Sequence, residues 1–171
     1  MKPRSLLVSL FTAALLGVFS LTGCSTVSSS APEGLIGAWK GGVQFTTGAF
    51  AATKDLEFMY VFNPGGTMTE SSNYDSSPPV PPAYGVWKAV DALHYETKYA
   101  FFWTNPPKAF EDLAKGGGWA PGGHGVLTQK TALAADGKTF ESTLKLELYD
   151  QQGKLTEPAS YATAKATRIS F

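Results

Sequence analysis

Few side chains in this chain are of a reactive or metal-ligating kind. His94 and His124 are the only histidines, one at the start of a strand-like run and one among glycines, and neither has a metal-ligand spacing such as His-x-x-x-His. Both read first as surface histidines. Glu57 and Glu70 fall on neighbouring strand-like runs, and Glu96 lies two residues from Lys98, with which it could pair on an outer face. General acid–base work needs a carboxylate within reach of substrate, whereas charges that alternate with apolar residues along a strand read as its solvated side. The sequence contains no Gly-x-Ser-x-Gly elbow, phosphate-cradling loop or dinucleotide fingerprint. Its one cysteine excludes a disulfide framework and a Cys-rich zinc site. No metal or cofactor is expected, and no catalytic residue can be named.

Binding is better represented than catalysis. Phe58, Tyr60, Trp87, Tyr99, Phe101, Leu127, Leu144 and Leu146 fall on the faces of their strands expected to turn inward, with Thr97, Gln129 and Ser142 as polar points among them. Aromatic rings with a few orienting polar groups are what a pocket for an apolar molecule needs. Phe58, Tyr60, Trp87, Tyr99, Phe101, Gln129, Ser142 and Leu144 are the candidate ligand-binding residues. The same rings could equally fill the interior, and Ala162, Ala164 and Ala166 leave volume that is either cavity or room for facing aromatics.

Those residues need strands to hold them. From Leu35 onward the dominant signal is alternation with period two, interrupted by turn residues, which specifies antiparallel strands. Strands are expected at 35–44, 56–62, 67–74, 84–90, 94–104, 125–133, 139–149 and 160–171. Asn63-Pro64-Gly65-Gly66, Asp91-Ala92, Asp136-Gly137 and Gln152-Gly153 supply turns between them. Eight such segments with short connections predict an all-β, up-and-down antiparallel barrel, with an interior wide enough for side chains or one small ligand; a two-sheet sandwich is the alternative. Two connections are not hairpin turns. Residues 76–82 carry four prolines and should be stiff and extended. Residues 105–115 predict a short helix with Asn105 as its cap and Pro106 in first position; glycines 116–118, 122, 123 and 125 then predict a mobile segment around Trp119 and His124.

Composition agrees with one folded domain. With 43% hydrophobic, 13% aromatic and 16% charged residues, the chain is too apolar for disorder. The 14 basic residues balance 14 acidic ones, and nucleic acid is not an expected partner, since that binding needs clustered cations.

The N-terminus is a different kind of sequence. Lys2 and Arg4 precede a mostly apolar run from Leu6 to Phe19, and small residues follow it before Cys24. That is the tripartite pattern of a secretory leader, too short to serve as a permanent span. Leu21-Thr22-Gly23-Cys24 resembles the lipobox of bacterial lipoproteins, in which the leader is removed before the cysteine and the cysteine is acylated. The resemblance implies a signal peptide at 1–23, lipidation at Cys24 and a membrane partner reached through acyl chains, two or three of which anchor stably. In that family Ser25, rather than an aspartate, after the cysteine favours the outer membrane, so an envelope protein facing the periplasm is implied. Residues 24–34 comprise the cysteine and a polar tether, with a reach on the order of 15–20 Å, and residues 35–171 form the expected barrel domain.

Gly37-Ala38-Trp39 at the start of the first strand resembles the Gly-x-Trp signature of lipocalins and the wider calycin group. The resemblance implies a barrel closed at one end by Trp39, with an arginine of the last strand packed over its ring. Arg168 is placed for that role, on the face shared by Ala162, Ala164 and Ala166. Gly85-Val86-Trp87 also resembles a strand of small secreted bacterial barrels, a likeness that implies no activity. The function expected is a lipid-anchored barrel that binds or carries a small apolar molecule. The alternatives are a barrel enzyme of the cyclase or isomerase kind, and a solid barrel whose surface binds a partner in the envelope.

Overall fold

A computed structural model describes residues 34–73, 82–115 and 118–170. The expected leader, Cys24, the tether through residue 33 and nearly all of the proline-rich run lie outside the described residues.

Eight strands follow one another: β1 (Gly37–Phe45), β2 (Leu56–Phe62), β3 (Thr67–Ser72), β4 (Ala83–Ala89), β5 (His94–Asn105), β6 (Ala120–Leu133), β7 (Thr139–Asp150) and β8 (Ser160–Arg168), with one short helix, α1 (Phe110–Ala114), between β5 and β6. Each strand pairs antiparallel with the next, and β8 pairs with β1 to close the barrel. The order is up-and-down throughout, and closure leaves no free sheet edge. Burial alternates as the sequence period requires. Leu56, Phe58, Tyr60 and Phe62 face inward on β2, and Phe140, Ser142, Leu144 and Leu146 on β7, with Glu57, Met59, Val61, Glu141 and Thr143 between them exposed.

The two ends of the barrel differ. Tight connections at 63–66, 90–93 and 134–138 lie at one end, together with the chain entering β1, whereas the long connections β1–β2, β3–β4, β5–β6 and β7–β8 all lie at the other. The first end is closed by packed rings. Trp39 is fully buried against Phe140, with centroids 4.9 Å apart; Trp87 meets Phe62 and Tyr95 at 6.1 and 5.9 Å. The indole N–H of Trp87 donates to the carbonyls of Asn63 and Thr67, which locks the β2–β3 turn.

Three details depart from the sequence expectation. The helix starts after Ala109 rather than at Asn105, because β5 continues to Asn105, paired with Ala120. The glycines at 122, 123 and 125 are strand, not a mobile segment. Trp103 and Phe101 on β5 lie across Gly122 and Gly125 so closely that a Cβ at either glycine would collide with the ring; the missing side chains are a seat for aromatics. Finally, Glu96 pairs with Lys88 on β4 at 2.9 Å rather than with Lys98, since residues directly opposite on paired strands are closer than residues two apart along one strand.

Candidate ligand site

At the closed end, Trp39, Gly37 and Arg168 form one unit. The Arg168 guanidinium carbon lies 4.2 Å from the Trp39 ring centroid. Its three nitrogens donate to the carbonyls of Gly137, Ile36 and Gly34, and the Trp39 indole N–H donates to Leu35 O at 2.9 Å. Gly37 has φ +125, and a Cβ there would stand 2.8 Å from Arg168 Nη1; glycine is required both by the backbone and by the passage of the guanidinium.

Above this plug the interior becomes polar. Tyr60 on β2 donates to Gln129 Oε1 on β6 at 3.1 Å, and the Gln129 amide donates to Thr131 Oγ1 and to Ser142 Oγ, each at 3.0 Å. The hydroxyls of Tyr60 and Tyr99 are 2.8 Å apart. A hydroxyl has one proton to give, so with Tyr60 donating to Gln129, Tyr99 must donate to Tyr60. The chain of donors thus runs Tyr99, Tyr60, Gln129 and then the two hydroxyls. Among the described residues nothing donates to the Tyr99 oxygen. Thr97, opposite Gln129 in the β5–β6 register, is buried with no hydrogen-bond partner for its Oγ1 among the described residues. Burial first of all pushes the pKa values of Tyr60 and Tyr99 above the usual phenol value, so both remain donors.

Glu70 belongs to the same region. The alternation reading put it on a solvated face, but on β3 it shares parity with buried Met68 and stands opposite Tyr60 on β2 and Ala83 on β4, both buried. Its side chain therefore turns inward. Burial raises its pKa from 4.5 to about 7, and its charge contributes to the upward shifts of Tyr60 and Tyr99. Among the described residues no hydrogen bond or salt bridge to this carboxyl is formed. The signal that could have found it is the step of two from Met68, the only large apolar residue of β3.

The other candidates divide by height. Phe58 stacks on Tyr60 at 4.2 Å, Leu144 lies beside Gln129 in the β6–β7 register, and Phe101 lies over Gly125 toward the end with the long connections. These join Tyr60, Tyr99, Gln129 and Ser142 in the upper and middle interior. Trp87 does not, because its indole is committed to the closed-end turn. Much of the space offered by small residues is taken by rings: a Cβ on Gly41 would meet Phe58, and one on Gly85 would meet Tyr99.

The histidines stand apart. His94 bonds Asp91 in the β4–β5 turn at 2.8 Å, and both are exposed; Asp91 is held below the usual carboxylate pKa by the Leu93 N–H and by His94. His124 stacks on Tyr149 at 5.1 Å. Among the described residues no three His, Cys, Asp or Glu side chains gather as a metal site. An open concavity of about 600 Å³ lies on the outer face of β5–β8, lined by Glu96, Lys130, Glu141, Thr163 and Lys165 among others. Two of those charges neutralise each other, Lys165 and Glu141 lying 2.7 Å apart. Comparisons of the chain with protein families, with curated proteins and with solved structures give no match.

Proposed function

We propose that this protein is a bacterial envelope lipoprotein, held at the outer membrane and facing the periplasm by acyl chains on Cys24, whose barrel binds one small, largely apolar molecule with a polar end. The observation that carries the binding part is the inward polar set formed by Glu70, Tyr60 and Tyr99 above a sealed floor. A barrel filled only for stability gains nothing from a carboxyl on its inner face, because taking such a group out of water with no partner among the described residues costs free energy. A ligand with a matching polar group turns that cost into recognition, while Phe58, Phe101, Leu127 and Leu144 supply apolar contact for its body.

The test is a panel of fatty alcohols, fatty acids, fatty amines, quinones and hydrophobic dyes followed by melting temperature and calorimetry. At about 100 times its Kd a binder stabilises the fold by roughly 2.7 kcal/mol, so at least one member is expected to raise the melting temperature by several degrees. If none does, the reading gives way to a solid barrel acting through its surface. That second reading has an observation of its own: Met59, Val61, Tyr84, Val86 and Phe102 are large apolar side chains exposed on the outer faces of β2, β4 and β5, and exposed apolar patches mark interaction surfaces.

The anchor rests on the residues before Cys24 and has a separate test. Mass spectrometry of the membrane fraction is expected to show a chain that begins at Cys24 and carries added lipid; an unmodified soluble chain would remove the anchor from the proposal.

A further inference from the structure

The ligand reading leaves the chemical class of the polar end open, and the surroundings of Glu70 narrow it. An inward carboxyl can be matched by a hydrogen-bond donor or by a cation. Of the elements packed beside it, β2 presents Tyr60, β4 presents Ala83 and Gly85, and β5, beyond Gly85, presents Tyr99. None of these is a cation, and the two titratable groups among them are phenols that stay protonated. The inward-facing arginine, Arg168, is at the opposite end with its nitrogens bonded to three carbonyls. The Tyr60 proton is committed to Gln129 and the Tyr99 proton to Tyr60. Around the carboxyl the site therefore offers acceptors, the Glu70 carboxylate and the Tyr99 oxygen; the one hydroxyl buried without a partner among the described residues, Thr97 Oγ1, stands nearer the closed end of β5, opposite Trp87 and Gln129, and carries no charge to match the acid. Aromatic faces are close by, with Phe58 stacked on Tyr60, and such faces attract cations electrostatically.

We propose that the barrel takes an organic cation, a protonated alkyl or arylalkyl amine, whose ammonium pairs with Glu70 and the Tyr99 oxygen and whose apolar body lies against Phe58, Phe101 and Leu127. This rests on the reading of the barrel as a ligand carrier and selects among ligands for it. An ammonium supplies several donors and a charge to a place that has acceptors and an uncompensated acid. A carboxylate ligand of the same length would meet repulsion, and an alcohol would meet no charge. Because the acid must be ionised to pair, and burial holds its pKa near 7, amine affinity falls as pH drops below neutrality, by about tenfold per unit. An alkylamine itself remains charged across that range, its pKa being close to that of lysine, about 10.4.

The experiment compares n-decylamine, n-decanol and n-decanoate, each below its aggregation threshold, by calorimetry on the purified protein at pH 8.5 and pH 5.5, with Glu70→Gln in parallel. The expected result at pH 8.5 is amine bound about tenfold or more tightly than alcohol, and decanoate weakest. At pH 5.5 the amine advantage disappears while alcohol binding is unchanged. Glu70→Gln is expected to bind amine and alcohol alike at both pH values. An amine preference that survives in Glu70→Gln or at pH 5.5, or decanoate binding as tight as amine, would overturn the cation assignment and leave the carrier reading intact. Failure of all three probes to bind the parent protein would instead overturn the carrier reading and the cation assignment with it.

Discussion

Arg168→Ala is expected to lower the stability of the barrel by about 3 kcal/mol, and Arg168→Lys to recover less than half of that. The guanidinium is 4.2 Å over the Trp39 ring, which contributes about 1–2 kcal/mol at a partly desolvated site. It also donates to Gly137 O, to Ile36 O and to Gly34 O, so one side chain ties the last strand to the β6–β7 turn and to the chain entering the first strand. Removing it leaves three carbonyls without that donor, at a point where β1 and β8 must stay paired for the barrel to close. Lysine restores the charge but cannot reach three carbonyls in different directions while lying flat on an indole. Thermal melting of the three proteins checks this. A melting curve for Arg168→Ala that superposes on that of the parent would remove Arg168 from the closure of the barrel.

Glu70→Gln is expected to stabilise the protein by about 2–3 kcal/mol at pH 8 and by nothing measurable at pH 4. Burial raises the folded-state pKa of Glu70 from 4.5 to about 7. Below 4.5 the group is protonated in both folded and unfolded chains and has no effect. Between 4.5 and 7 the unfolded chain releases the proton while the folded chain keeps it, so the unfolded state binds fewer protons and the parent loses stability as pH rises. Above 7 the loss is complete and constant. Glutamine has nearly the same shape and does not titrate, so the difference between the two proteins isolates this residue from groups with the opposite behaviour, such as Asp91 and Glu96, whose pKa values are lowered. Urea denaturation of both proteins from pH 4 to pH 8.5 measures it; a difference that does not vary with pH would show that Glu70 ionises as a solvated carboxyl does.

Much of the barrel was legible because its strands are amphipathic in the simplest way. Phe58, Tyr60 and Phe62 against Glu57, Met59 and Val61, or Leu144 and Leu146 against Thr143 and Lys145, assign inside and outside without reference to any other part of the chain. Trp39 and Arg168 could be placed inward by the same counting. Legibility fails where alternation has little contrast. In Thr67–Ser72 only Met68 is large and apolar, so the period is hard to see and Glu70 reads as one more surface charge. It fails again in the glycine-rich start of β6, since a strand whose inner side is made of Gly122 and Gly125 has no hydrophobic period of its own; its partner rings, Trp103 and Phe101, are on β5.

The number of strands, the faces of most of them, the turns at Asn63-Pro64-Gly65-Gly66 and Asp136-Gly137, and the inward parity of Trp39 and Arg168 are all readable along the chain, because each follows from residues within a few positions of one another. Which inward residues meet depends on how the sheet closes. Tyr60, Tyr99 and Gln129 come from three strands and are joined by bonds of 2.8 and 3.1 Å; Trp87, with the same inward parity as Tyr99, is drawn instead to the carbonyls of a turn at the closed end. The reason is that period two sets the direction of a side chain but not its height along the barrel axis, and height is set by how each strand is staggered against its neighbours when the sheet closes.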